Sequence, residues 1–120
     1  MSEPSVFSRI VAGEIPVERL YEDDQCIVIR DRAPQAPTHL LIIPRKPLLN
    51  VSDAGRDDRP LLGHLMWVAG ELGRKLGLDG FRLVVNNGAG AGQTVFHLHI
   101  HLLADREMRE QDLADAPAGS

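Results

Sequence analysis

A single cysteine leaves Cys26 no intramolecular partner, which excludes a disulfide framework and fits a reducing compartment. Its setting, Gln25-Cys26-Ile27-Val28-Ile29, reads as a buried small hydrophobe rather than a reactive thiol. Positive charge is also short. Thirteen Lys and Arg stand against 17 Asp and Glu, giving a formal net charge of -4, so no global basic surface for nucleic acid is expected and any phosphate site must be local. No apolar run is long enough to span a bilayer and the N-terminus lacks a signal-peptide core, which points to a cytoplasmic protein with no membrane partner. Internal repeats are absent. A length of 120 residues suits one domain.

What is present centres on Val95-Phe96-His97-Leu98-His99-Ile100-His101-Leu102-Leu103. Three of the five histidines alternate with apolar residues here. On a strand, side chains alternate faces, so His97, His99 and His101 share one face while Phe96, Leu98, Ile100 and Leu102 form a buried face opposite. On a helix, His99 would lie far around the axis from the other two. The strand reading starts neighbouring imidazoles roughly 6 to 7 Å apart, within reach of one ligand. Such a row suits a metal site, since imidazole is a common ligand, or nucleophilic catalysis in which one ring attacks and its neighbours move protons. A solvent-facing polar strand is the third reading, and the ordered alternation disfavours it.

The remaining elements frame this strand. Val6 to Ala12 reads as a short helix stopped by Gly13. Val17–Glu22 and Cys26–Asp31 read as a hairpin, and Thr38–Ile43 as an apolar strand after the stiff loop Ala33-Pro34-Gln35-Ala36-Pro37. That third strand carries His39. Residues 45–59 read as a loop, with Asp57 or Asp58 capping a long helix in which Leu61, Leu62, Leu65, Met66, Val68, Ala69, Leu72 and Leu76 follow the helical period. Gly77 suits its left-handed end, and a close contact or simple tolerance would explain Gly70 and Gly73 inside it. His64, in the same helix, reads as solvated or packed. Phe81–Asn86 is the fourth strand. The loop Asn87-Gly88-Ala89-Gly90-Ala91-Gly92-Gln93-Thr94 then leads onto the histidines, so its amides could cradle an anion; no Lys-Ser/Thr pair follows and a strand comes next, which excludes a P-loop and a dinucleotide fingerprint. Beyond Leu103 the chain is charged and poor in apolar residues, and reads as a mobile, partly helical tail.

His97-Leu98-His99-Ile100-His101-Leu102-Leu103 resembles the His-φ-His-φ-His-φ-φ signature of the histidine triad (HIT) superfamily, where φ is apolar. Residues Phe7 to Pro16, Tyr21-Glu22-Asp23-Asp24, Ala33 to His39, Ile43-Pro44, Leu61 to Met66, Val84 to Gly88 and Gly92 to Val95 are similar to segments of that family, and of its Hint branch in particular. The resemblance implies residues 1–103 as a HIT domain of α+β class, with a five-stranded antiparallel sheet, one long and one short helix, and a tail over 104–120. It implies a homodimer whose sheets join. It also implies a pocket for a purine mononucleotide, AMP or GMP, and hydrolysis of phosphoramidates in which AMP is bonded to an amine. No cofactor is required. Zinc binding is attributed to some members but is not expected here, which weighs toward a nucleophile over a metal ligand.

On this resemblance His99 attacks the α-phosphorus, held for attack by the carbonyl of His97. His101 serves the leaving amine, and His97 and His39 orient and buffer the site. Gly92, Gln93 and Thr94 surround the phosphate, Asp31 and Arg32 stand at the nucleotide with Asp31 on the ribose, Asn86 stands on the phosphate side, and Phe7 and Ile15 line the base pocket. Three departures stand out. Thr94 replaces a frequent serine and keeps its hydroxyl. Pro47 stands where a histidine is common. The tail lacks the Trp-Pro-Pro-Gly segment of many Hint proteins. Rival readings are a metal-dependent enzyme, a non-catalytic nucleotide- or zinc-binding protein, and cleavage of dinucleoside polyphosphates or nucleotidyl transfer within the same superfamily.

Overall fold

The computed structural model describes residues 4–115. Five strands form one antiparallel sheet: β1 (Tyr21–Glu22), β2 (Cys26–Arg30), β3 (Thr38–Pro44), β4 (Arg82–Val84) and β5 (Ile100–Ala104). Their order across the sheet is β1-β2-β3-β5-β4. A short helix, α1 (Val6–Val11), lies on one face, and a long helix, α2 (Arg59–Lys75), on the other. The α+β sheet with one long and one short helix is therefore as the sequence predicts.

Alternation along the central strands supplies two cores. Val28, Leu40, Ile42, Leu98, Ile100 and Leu102 pack with Leu65, Val68, Ala69 and Leu72 of α2. Ile27, Ile29, Leu41 and Ile43 pack with Phe7 and Ile10 of α1. The odd-numbered residues of β3 and β5 therefore turn toward α1, and the histidines lie on that side. Ser5 caps α1 by accepting the N–H of Ser8 at 3.1 Å, and the left-handed Gly13 (φ +83°) follows its end.

Several boundaries differ from expectation. The histidine strand starts at Ile100, not Val95. The register pairs Ile42 with Ile100, so Leu98 falls opposite Pro44. Proline has no N–H to give, the ladder stops there, and the Leu98 N–H turns to the carbonyl of Leu48 at 2.7 Å. Phe96, beyond that break, is 44% exposed rather than buried. β1 is only two residues long, and β4 is Arg82–Val84 rather than the longer strand expected. Residues 45–59 contain two 3₁₀ turns, Val51–Asp53 and Arg56–Asp58, and the glycine loop contains a third, Ala89–Ala91. Met66 of α2 and Leu76, which caps its end, are exposed despite their helical spacing. In the tail, Glu110–Asp115 forms a 3₁₀ segment, with Arg82 of β4 donating to the carbonyls of Arg109 and Asp112. Residues 116–120 of the expected tail lie outside the described residues.

Candidate active site

Burial and local hydrogen bonding set each imidazole. All of His39, His97, His99 and His101 are buried. His99 Nδ1 lies 2.7 Å from the carbonyl oxygen of His97. A carbonyl only accepts, so Nδ1 carries the hydrogen and Nε2 keeps its lone pair. That Nε2 is buried with no hydrogen-bond partner among the described residues. A buried polar atom left so costs about 1–3 kcal/mol, a penalty that bonding to an incoming electrophile would relieve.

His97 faces away from this chemistry. Its Nε2 donates to the Pro44 carbonyl at 2.7 Å, so its Nδ1 accepts from the Ser8 hydroxyl at 2.9 Å. Burial pushes its pKa down, against a pull upward from the Pro44 carbonyl, and His99 nearby lowers it further. His39 and His101 form a buried pair, with His39 Nε2 and His101 Nδ1 2.8 Å apart. Asp31 Oδ2 lies 3.3 Å from the same His39 nitrogen. Burial also lowers the pKa of His39, with the Asp31 carboxylate opposing. The rings of His99 and His101 are 5.1 Å apart, closer than the roughly 6 to 7 Å that strand rise alone suggests.

A cleft of about 250 Å³ opens beside this row, lined by Val6, Phe7, Ile10, Ile15, Val17, Ile29, Leu41 and Val95, with Arg30, Asp31 and Arg32 among its lining residues. Phe7 connects cleft and histidines: its ring meets His99 edge-on at 4.8 Å. Arg32 is exposed. Thr94 instead lines a second hollow of about 690 Å³ with Ser8 and Pro47, and Val6 and Val95 border both.

The glycine loop is closed by its own hydrogen bonds. The N–H groups of Gly92 and Gln93 are spent inside the loop, on the carbonyls of Ala89 and Gly88. The Gln93 side chain is 2% exposed and braces the loop, accepting from the Gly88 N–H and donating to the carbonyls of Leu49 and Val95. Asn86 Nδ2 donates to the Ala91 carbonyl at 2.7 Å, while its Oδ1 is buried with no partner among the described residues. Thr94, which is exposed, is the loop's outward-facing hydroxyl.

Sequence reasoning left out Ser8, Gln35 and the Pro44 carbonyl. Ser8 and His97 are 89 positions apart, so only the fold brings them together. Gln35 donates its main-chain N–H to His39 Nδ1 at 3.0 Å. His64 is neither simply solvated nor simply packed: its Nε2 meets Asp23 Oδ2 at 2.6 Å and its ring stacks on Trp67.

Two clusters among the described residues bring three metal-type ligand atoms within 4.8 Å of one another. In the first, Asp23, Cys26 and His64, the carboxylate is already saturated. Oδ1 accepts from the Gln25 and Cys26 amides, and Oδ2 from Tyr21 and His64. Burial also pushes the Cys26 thiol up to about 12, away from the thiolate a metal needs. The second is Asp31, His39 and His101, taken up below.

Residues 12–108 match the family of the HIT domain. The chain belongs to the HIT domain family. It is 53% identical over 107 residues to the uncharacterized HIT-like protein slr1234 of Synechocystis, covering 88% of this chain and 94% of that protein. A crystal structure of a HIT family hydrolase from Legionella pneumophila superposes with a TM-score of 0.85 at 44% identity, covering 88% of this chain and 96% of that one. A HIT family hydrolase from Clostridium thermocellum gives the same TM-score at 40% identity, over 91% of this chain and 96% of that one. The five-stranded sheet with its long helix is thus the HIT fold, and solved structures similar to this chain include proteins called HIT family hydrolases. Among the described residues no helix is long and apolar enough to cross a membrane.

Proposed function

We propose that this HIT domain hydrolyses purine nucleoside phosphoramidates, releasing AMP or GMP from an amine through a nucleotidyl-His99 intermediate. The observation that carries the reading is the buried lone pair of His99 Nε2, fixed by the Nδ1 bond to His97 and lacking any partner among the described residues. That nitrogen attacks the α-phosphorus, a P–Nε2 bond forms and the P–N bond to the amine breaks. Water then displaces His99 and frees the nucleotide. One hard displacement becomes two easier ones. His101 gives its N–H to the bridging nitrogen as charge builds there, a contribution typically worth roughly 10²- to 10⁴-fold. Thr94 meets the phosphate oxygens. The apolar walls at Phe7 and Ile15 suit a base, with Asp31 placed for the ribose and Arg32 beside it.

The single buried cysteine suits the cytoplasm, where we place the protein. The reading includes a homodimer formed across β4. This strand ends the sheet, and Phe81 and Val85 flanking it and Met66 and Trp67 on α2 are exposed. Sedimentation at micromolar concentration should give twice the monomer mass, and a compact monomer would remove this part of the reading.

Incubating chelator-treated protein with an AMP–amine phosphoramidate tests the activity. AMP release is expected without added metal. Release only after metal is restored, or AMP binding with no release under either condition, would overturn the nucleophile reading.

A further inference from the structure

The buried pair His39–His101 contains a proton whose place is decided from outside the pair. Gln35 N lies 3.0 Å from His39 Nδ1. A main-chain N–H only donates, so Nδ1 presents its lone pair and the single hydrogen of neutral His39 sits on Nε2. From there it points to His101 Nδ1 at 2.8 Å, with Asp31 Oδ2 as a second acceptor at 3.3 Å. A hydrogen on His101 Nδ1 would face the one on His39. His101 therefore carries its hydrogen on Nε2, the ring nitrogen remote from His39.

The same hydrogen decides what the cluster can bind. Nε2 of His39, Nδ1 of His101 and Oδ2 of Asp31 are separated by 2.8, 3.3 and 4.0 Å. A tetrahedral ion with bonds of about 2.0–2.1 Å needs ligand atoms about 3.3–3.4 Å apart, so spacing alone would accept a zinc-sized ion. Tautomer does not. A histidine that ligates through Nε2 keeps its hydrogen on Nδ1 and donates it to a second acceptor. Here Nδ1 meets another donor, so ligation through His39 Nε2 requires breaking the partly buried Gln35 bond.

We propose that the main-chain N–H of Gln35 sets the tautomer of the His39–His101 pair, turning the His101 hydrogen toward the reaction and closing Asp31, His39 and His101 to a divalent metal ion. Its consequence for turnover rests on the hydrolase reading above; its consequences for tautomer and metal do not. The local chain is built to hold that amide still. Pro34 and Pro37 flank it, Asp31 Oδ1 accepts the Ala33 N–H at 2.8 Å, and the Gln35 side chain is exposed. Gln35 is thus a positioning residue that acts through its backbone alone.

The test uses the full chain with ¹⁵N-labelled histidine. In the native protein, NMR should show His39 and His101 neutral with hydrogen on Nε2, and stoichiometric cobalt(II) should leave both signals unshifted. Gln35→Pro deletes the N–H. It should let His39 take hydrogen on Nδ1, admit cobalt(II) at the His39 and His101 signals, and lower AMP release by roughly 10²- to 10⁴-fold, the scale of losing a correctly set histidine. Gln35→Ala keeps the amide and should match the native chain in all three readouts. A native His39 with hydrogen on Nδ1, native cobalt binding at this pair, or a Gln35→Ala variant that behaves as Gln35→Pro would overturn the proposal. If Gln35→Pro does not fold, the native spectrum and Gln35→Ala still decide it. Native tautomers as stated with no AMP release would sustain this proposal and remove the hydrolase reading.

Discussion

His99 Nδ1 stands 2.7 Å from the carbonyl of His97, two residues earlier in the same segment. His97 lies before β5 begins at Ile100, where the ladders to both β3 and β4 have ended, so its carbonyl accepts from a side chain instead. His99→Ala should abolish turnover by roughly 10⁴-fold or more, the scale at which removal of an attacking group shows. The fold should survive, since the ring's one hydrogen bond among the described residues is to a carbonyl of its own segment. Rapid base quenching followed by mass spectrometry should find the nucleotidyl mass on the His99 peptide of the native chain and none in the variant. An adduct on another histidine would move the nucleophile.

Ser8 is expected to matter for stability and little for rate. Its hydroxyl donates to the His97 Nδ1 lone pair, and His97 Nε2 is already committed to Pro44. Ser8→Ala leaves the buried His97 Nδ1 acceptor unsatisfied and should cost about 1–3 kcal/mol in urea unfolding. AMP release should stay near the native value. A large loss of rate at unchanged stability would assign Ser8 to the reaction itself.

These two cases show what a sequence can and cannot display. Alternation of His97, His99 and His101 with Leu98, Ile100 and Leu102 is a local, period-two property, and the faces it implies are those observed. The start of β5 is not local: it depends on the missing N–H of Pro44, which only the register sets opposite Leu98. Ser8 reaches His97 and Gln35 reaches His39 through the fold, and neither residue type announces such a role. The hydrogen bonds inside the glycine loop are not legible in its composition either. Its composition permits an anion cradle, but the Gly92 and Gln93 amides close the loop on itself.

Acid should unfold the protein in two stages. Burial holds His39 and His97 below the ordinary histidine range, so the unfolded chain takes up protons near pH 6.5 while the native chain resists them. Stability is complete above about 6.5 and falls as pH drops below it. Asp23 gives the second stage. Burial alone would raise its pKa, but hydrogen bonds from the Gln25 amide, His64, Tyr21 and the Cys26 amide outweigh that and hold it low. Its contribution is present above about pH 3.9 and is lost as pH falls further. Urea midpoints measured against pH should decline through both windows. Asp23→Asn should shrink the lower one, to which Asp58 also contributes because its hydrogen bond from Lys46 holds its carboxyl low, and leave the upper; a variant that altered both windows equally would contradict this assignment.

Gly70 and Gly73 sit three positions apart in α2 and should respond differently to alanine. Within a helix, Gly→Ala gains roughly 0.8–1.0 kcal/mol of propensity when the site has room. At Gly70 a methyl would meet only the end of the Arg74 side chain, 3.6 Å away. At Gly73 it would stand 2.5 Å from Cε2 of the Phe81 ring. Gly73 is buried, and the ring lies across it where the chain approaches β4. Relieving that overlap means shifting the ring at a typical overpacking cost of 1–3 kcal/mol, about equal to or larger than the propensity gain. Gly70→Ala should therefore raise the melting temperature, while Gly73→Ala should lower it or leave it unchanged. Gly73→Ala combined with Phe81→Ala removes the obstructing ring, so the alanine at 73 should be stabilising when measured against Phe81→Ala alone. If alanine at 73 remained destabilising in that background, the glycine would be required by something other than the Phe81 contact.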